Sequence, residues 1–373
     1  MSIYSVNQIL NDHFYEYRQS HNVAAHQMKA AYQLMDCRTS ALGGHSYYCE
    51  NGHLNGVFYN SCKHRSCPQC CAMPTKQWLQ AASNLLINDT HHHWVFTIPH
   101  EFNSLWQFNR ELFQDILFVS VKETIKKLAS DPKYLGAMPG ILMALHTWGR
   151  NLTLHPHIHC LITDGGVKND CWIKPKRKIF IPVNVVTAVF KAIFTKHLRN
   201  EYKAREIKLP TKMNESGFYF MIGQVYKKTW NVECCKPYRN GNGIATYLAK
   251  YVRGGAIKNQ QIKKVSKQEV VFSYKNYKKN KQSLMTLSID AFIGRVLEHV
   301  SVSKKMTIRR FGIYHNSCRK QLDIIKNGIG QQITQTIKKI TSLVFMKSIK
   351  REMFCKQCEE SLLNGYRKKL RRW

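Results

Sequence analysis

The chain has 373 residues, enough for two or three folded units with a substantial core. Its 57 Lys and Arg against 23 Asp and Glu leave a formal net charge of +34, far beyond what solubility requires, so the natural partner is a polyanion. No apolar run is long enough to span a bilayer, and the opening "MSIYSVNQILNDHFYEYRQ" lacks the charged and then apolar layout of a signal peptide; the membrane and secretory classes are set aside in favour of a cytoplasmic nucleic-acid protein.

In that setting the 13 cysteines read as ligands or free thiols rather than a disulfide framework. Six of them crowd into residues 37–71, "CRTSALGGHSYYCENGHLNGVFYNSCKHRSCPQCC". Cys67-Pro-Gln-Cys70 is the tight knuckle that lets two thiolates reach one ion, and Cys49 with His53 offers a second pair. Tetrahedral zinc accounts for the pattern. The spacing assigns Cys49, His53, Cys67 and Cys70 to one site, with Cys37 and Cys62 in a second or extended one. Large aliphatic residues are few here, so zinc is expected to hold the segment folded.

Residues 72–93 read as a helix followed by a polar turn, and "HWVFTIPHEF" as a strand stopped at Pro99. Residues 104–130 carry apolar side chains at three- and four-residue intervals, which predicts one amphipathic helix. "GILMALHTWGRNLTLHPHIHCLITDGG" then predicts two strands or a hairpin, closed by a turn at Gly165-Gly166. On the second strand His155, His157 and His159 occupy every second position and so share a face. Neutral imidazole is a common ligand for divalent ions, which makes that face a candidate metal site, with His155, Asp164 and Glu233 as open choices for a further ligand. Strand, helix and paired strands predict an α+β domain with the histidines on a central strand.

Residues 226–257, "YKKTWNVECCKPYRNGNGIATYLAKYVRGGAI", predict a strand, a break at Asn-Gly-Asn-Gly, and a helix ended by Gly254 and Gly255. Tyr247 and Tyr251 then lie one turn apart on one face, with Lys250 between them and Arg253 closing the turn. A tyrosine hydroxyl can attack phosphorus, and a divalent ion can polarise the phosphoryl oxygen. Lys250 or Lys236 is placed to assist the phenol or neutralise phosphate charge.

Beyond residue 258 a Lys-rich stretch predicts a hairpin with a basic edge; Lys275 and Lys278 there, with Lys236 and Arg253, are candidate DNA contacts. Interleaved aromatics, as in "SYKNYKKNKQ" and "GYRKKLRRW", add rings on which bases can stack. "IDAFIGRVLEHV" predicts a helix capped by Asp290. Cys355 and Cys358 form another CxxC, with Cys318 as a candidate third ligand, and "YRKKLRRW" reads equally as an ordered DNA-binding arm or a tail.

His157-Ile158-His159 followed by Tyr247-x-x-x-Tyr251 resembles the HUH endonuclease superfamily. More closely, the order "YNSCKHRSCPQC", "HWVFTIP", "HPHIHCLITDGG", "YLAKYVRGGAI", "FSYKNYKK", "FIGRVLEHV" and "IRRFGIY" is similar to the rolling-circle transposases of bacterial insertion-sequence family ninety-one, from about residue 10 to about residue 320. The resemblance implies an antiparallel HUH-like sheet flanked by helices, behind an N-terminal zinc-binding module. It implies nicking of single-stranded DNA at element ends and strand transfer to target DNA, in the bacterial cytoplasm at the nucleoid. His157 and His159 would hold Mg²⁺ or Mn²⁺. One of Tyr247 and Tyr251 would take a 5′-phosphotyrosine link and the other would serve a second transfer, with no nucleotide cofactor. The expected organisation is a zinc-binding DNA-recognition module over 1–80, a catalytic domain over 81–260 and a basic DNA-binding region over 261–373. A plasmid replication initiator or relaxase shares this chemistry; a zinc-dependent DNA binder without catalysis and a zinc hydrolase using the three histidines are the other readings.

Overall fold

The computed structural model describes residues 4–175, 181–240, 243, 245, 246, 248, 249, 253–276, 280–302, 305–332, 340, 345, 354, 355, 357–359 and 366–370. Two helices lead, α1 (Val6–Ser20), whose N-cap Ser5 accepts from the Gln8 amide, and α2 (Ala25–Met35). Strands β1 (Gly44–Tyr48) and β2 (Leu54–Tyr59) form a hairpin, and α3 (Ala72–Leu85) leads to β3 (His91–Thr97). The polar turn expected after the helix is found up to Thr90, but its three histidines, His91 to His93, already belong to the strand. Next come α4 (Asn103–Phe108) and α5 (Arg110–Ala129), where one helix was expected. The break is at Asn109, whose side-chain amide accepts from Lys208 N at 2.7 Å and donates to the carbonyls of Leu105 and Lys208. Holding that distant loop takes Asn109 out of helical geometry, at φ −132° and ψ 41°.

The paired strands are β4 (Met138–Trp148) and β5 (Leu154–Lys168), followed by short β6 (Cys171–Ile173). β5 runs straight through Gly165-Gly166, so no turn forms there. A Cβ on Gly165 would lie 2.7 Å from both Ile173 O and the Trp172 ring, and one on Gly166 2.8 Å from the Met138 backbone; these glycines permit close packing of strands. Helices α6 (Val183–Lys203) and α7 (Glu215–Lys227) precede β7 (Val232–Cys234), so the strand expected from residue 226 starts later, after α7 ends.

A small sheet of β8 (Ile262–Val265), β9 (Glu269–Asn276) and β10 (Lys281–Ser288) gives way to α8 (Ile289–Glu298). Ser288 rather than Asp290 caps α8, accepting from Ala291 N, while Asp290 sits in the first turn; the extended backbone at Ser288 is what an N-cap needs. β11 (Ile308–Phe311), α9 (Arg319–Gly328) and β12 (Tyr366–Leu370) complete the described elements.

The central sheet is antiparallel, in the order β11-β4-β5-β3-β7, with β6 added to β5. Alternation along its strands sorts side chains onto two faces. Ile158, Cys160 and Ile162 of β5, with Met143 of β4 and Trp94 and Phe96 of β3, pack against Phe113, Phe190, Phe194 and Phe218 of α5, α6 and α7. The other face offers Leu142, Ala144 and Leu161, covered by α3, α9, Tyr314 and the described residues Ala245 and Leu248. His93, His146, His157 and His159 belong to this second face by the same alternation.

A separate cluster joins α1, α2 and α8 to β8 and β9 around Phe14, Phe272 and Phe292, and it includes Cys37, Cys67 and Cys70. Two pieces from late in the chain return to early ones: β11 forms an edge of the central sheet, and β12 pairs with β1. "YRKKLRRW" is thus ordered over Tyr366–Leu370. Among the described residues no helix is long and apolar enough to cross a membrane.

Candidate active site and metal centres

Antiparallel pairing sets His146 of β4 opposite His157 of β5. One ligand nitrogen from each of His146, His157 and His159 can lie within 4.8 Å of the others. His157 Nδ1 donates to His155 O at 2.6 Å, which leaves its Nε2, 3.2 Å from His159 Nε2, as the lone-pair nitrogen. Behind His159, its Nδ1 meets His93 Nε2 at 2.9 Å. That contact fixes the His159 ring, as the outer partner of a metal-binding imidazole does. Burial pushes His157 and His93 down to about 4. His146 and His159 are driven well below the ordinary range, first by burial and then by the neighbouring imidazoles. All four are neutral near pH 7, the form that binds a divalent ion.

Three imidazoles on a packed sheet fit such an ion and leave the rest of its shell to oxygen ligands. The choices weighed for the further ligand lie elsewhere. His155 is exposed, with its ring centroid 5.2 Å from that of His157, and is outside the ligand group. Asp164 pairs with His92 at 2.8 Å and Lys174 at 3.6 Å. Glu233 is exposed on the edge strand β7. His146 was missed because a histidine in the apolar run "LMALHTW" signals nothing until strand pairing sets it beside His157. The strand carrying His93 was expected, but its place behind His159 shows only once that strand pairs with β5.

His91 has a different task. Its Nδ1 donates to Asp89 O at 2.7 Å, so its Nε2 accepts from the Tyr314 hydroxyl, also at 2.7 Å, and that oxygen accepts from Ile87 N. Burial lowers His91 to about 4, and burial likewise lowers His299, which bonds Leu152 O and Thr147, to about 4. Both fold neutral, so between pH 6.5 and 4 the unfolded chain binds more protons and stability rises with pH. The urea midpoint is expected to fall as pH drops through that window; a midpoint that climbs on acidification would contradict it.

The sulfur ligands group differently from the sequence assignment. Cys37, Cys62, Cys67 and Cys70 form one cluster, with Cys67 and Cys37 sulfurs 3.5 Å apart and Cys62 and Cys70 sulfurs 3.7 Å apart. Cys49 and His53 stand instead with Cys355 and Cys358, and Cys318 is beside Ser317. The reason is the hairpin: Cys37 and Cys62 flank its base, Cys49 and His53 its tip, and five strand residues separate them by roughly 16 Å. Buried Asn7 donates to Cys67 Sγ at 3.8 Å, and thiol hydrogen bonds, from Cys37 first, drive the Cys67 pKa far down toward the thiolate.

Lys236 and Lys275 are exposed, on the loop after β7 and on β9. Arg253 is half-buried near Arg65, whose pKa is lowered by burial and then by Arg253. Tyr247, Lys250, Tyr251 and Lys278 lie outside the described residues. Around the tyrosines, Ala245 and Leu248 pack on the histidine face, and the chain after them docks on the zinc knuckle, with Gly254 N donating to Arg65 O at 2.7 Å.

A family model described as "Transposase zinc-binding domain" matches residues 9–98, and one described as "Putative transposase" matches residues 140–321. The chain is 33% identical over 315 residues to "Putative transposase y4qJ" of Sinorhizobium fredii (strain NBRC 101917 / NGR234), covering 82% of this chain and 79% of that one. It is 26% identical over 298 residues to the "Transposase for insertion sequence element IS801" of Pseudomonas savastanoi pv. phaseolicola, covering 78% and 70%. A solved conjugative relaxase TrwC in complex with oriT DNA, in its metal-bound structure, is similar at a TM-score of 0.22 and 12% identity over 42% of this chain and 70% of that one, a likeness too low to carry an argument.

Proposed function

The chain belongs to the IS91 family of transposases, and from that premise we propose that it nicks single-stranded DNA at element ends and transfers the strand to target DNA through a 5′-phosphotyrosine, in rolling-circle transposition. As a transposase it is a DNA-processing enzyme, and its N-terminal region is a structural zinc-binding domain. The observation that carries the finer reading is the convergence of His146, His157 and His159 on the sheet face against which Ala245 and Leu248 pack.

His146, His157 and His159 would hold Mg²⁺ or Mn²⁺, which when bound supplies positive charge to the oxygens of the scissile phosphate. Tyr247 or Tyr251 attacks phosphorus; the bond to the upstream 3′ oxygen breaks, leaving a free 3′-hydroxyl and the 5′-phosphate on the phenol oxygen. A 3′-hydroxyl from another strand then displaces the tyrosine, restoring a phosphodiester without a nucleotide cofactor. The second tyrosine serves the second exchange. Lys250 or Lys236 offsets charge at the phenol and phosphate, and Arg253, Lys275 and Lys278 contact backbone phosphates, so affinity falls steeply with salt. His93 keeps the His159 ring in place.

The test is to incubate purified protein with single-stranded DNA from its element's ends and Mn²⁺, then look for a denaturant-resistant protein–DNA adduct. Wild type is expected to form it, each of Tyr247→Phe and Tyr251→Phe to alter it, and the double variant to form none. Tight binding with no adduct in wild type would leave the chain a DNA binder, and an adduct that persists in the double variant would remove both tyrosines from the reaction.

A further inference from the structure

Cys49 and His53 sit at the tip of the β1–β2 hairpin, and Cys355 lies 302 residues beyond His53. Neither matched family model reaches Cys355 or Cys358. Yet one ligand atom from each of the four residues falls within 4.8 Å of the others. We propose that Cys49, His53, Cys355 and Cys358 bind a second structural zinc, separate from the four-cysteine centre, that fastens the late basic strand β12 to the early hairpin.

The distances are those of a tetrahedron. With bonds of about 2.3 Å to sulfur and about 2.0 Å to nitrogen, ligand atoms around zinc stand about 3.8 Å apart for sulfur pairs and about 3.5 Å for sulfur and nitrogen. Here Cys49 Sγ to His53 Nδ1 is 3.5 Å, Cys355 Sγ to His53 Nδ1 is 3.7 Å, and Cys358 Sγ to Cys49 Sγ is 3.8 Å. Backbone amides point at the sulfurs as in zinc knuckles: His53 N donates to Cys49 Sγ and Gln357 N to Cys355 Sγ, each at 3.4 Å. Three soft thiolates and an imidazole select zinc over a hard ion.

Apolar packing does not explain this meeting. Among the described residues the buried cluster at the site consists of Cys49 and Cys355, with Cys358 packed against them, and has no aliphatic member. None of the 13 cysteines is in a disulfide, so no disulfide holds the ends together. What the site fastens is β12, paired with β1 from Gly44↔Leu370 to Tyr48↔Tyr366. Tyr48 stacks on Tyr366 at 5.2 Å between ring centroids, and Lys368 Nζ lies 5.2 Å over the Tyr48 ring. Lys368 and Lys369 are exposed there, beside aromatic rings, on a strand whose place depends on the metal.

Zinc per chain is measured by mass spectrometry of the metal in the full-length protein, purified and dialysed against metal-free buffer. Cys358→Ala is expected to carry one zinc fewer than wild type, and Cys358→His, which restores a zinc ligand, to regain it. In the cobalt-substituted proteins, Cys358→His should lose part of the sulfur-to-cobalt charge-transfer absorption while keeping the tetrahedral visible bands. Equal zinc in all three proteins would overturn the proposal, as would a Cys358→His protein as depleted as Cys358→Ala. The count does not depend on DNA cleavage.

Discussion

Replacing His146 by alanine is expected to slow DNA cleavage by at least about 100-fold while DNA affinity changes little, on the scale set by losing one fixed group that stabilises transition-state charge. His146 is 3% exposed and faces His157 across the β4–β5 pair, so its ring is held beside the other two imidazoles. The contrast is His155→Ala. That side chain is exposed and outside the ligand group, so the same assay should register within about 2-fold of wild type, as surface substitutions usually do. Adduct formation and filter-retained DNA, read side by side, separate the two variants. A full loss in His155→Ala with an active His146→Ala would return the ligand set to a single strand.

The second large effect falls on stability. Gly312 has φ +58°, and a Cβ there would stand 1.8 Å from Pro139 O. Gly312→Ala therefore meets both the left-handed backbone penalty and a collision that only displacement of β11 from β4 relieves; a loss of roughly 3 kcal/mol or more is expected. Gly312 also aims Tyr314 inward. The Tyr314 ring fills the space over Gly140, where a Cβ would meet it at 2.7 Å, and its hydroxyl holds His91 and the Ile87 amide. Calorimetry of Gly312→Ala against Gly328→Ala, a helical position with nothing within 4 Å, should show a lowered Tm only for the first. Equal transitions would mean the turn relaxes freely.

Much of this architecture was legible because it is written in local patterns. Alternation gave the histidine strand and its central place, and three- and four-residue spacing gave the helix pair around Asn109 as one continuous run. Three of the misreadings come from contacts that lie outside the local pattern. Asn109 breaks its helix to hold Lys208. Gly165-Gly166 looks like a turn until Trp172 and Met138 are seen to press on it. The knuckle and the CxxxH pair sit close in sequence, but a hairpin separates them and strand pairing brings Cys355 and Cys358 to the tip instead. Ligand residue types are thus readable from spacing, whereas their grouping is set by three-dimensional return of the chain. Tyr247 and Tyr251 lie outside the described residues, and of their neighbours in sequence Ala245 and Leu248 lie over the histidine face.

The pairing of β1 with β12 also bears on how the molecule is made. A ribosome adding about 5–20 residues per second needs roughly 15–60 s to pass from His53 to Cys355, which are 302 residues apart. Throughout that interval β1 has only β2 beside it, and its other side presents unpaired amides and carbonyls to whatever strand is near. A message truncated ahead of Cys355 would leave the edge open permanently. Among the described elements β12 is the strand that closes that edge, so the β1–β2 hairpin waits for synthesis to pass residue 370 before its sheet is complete.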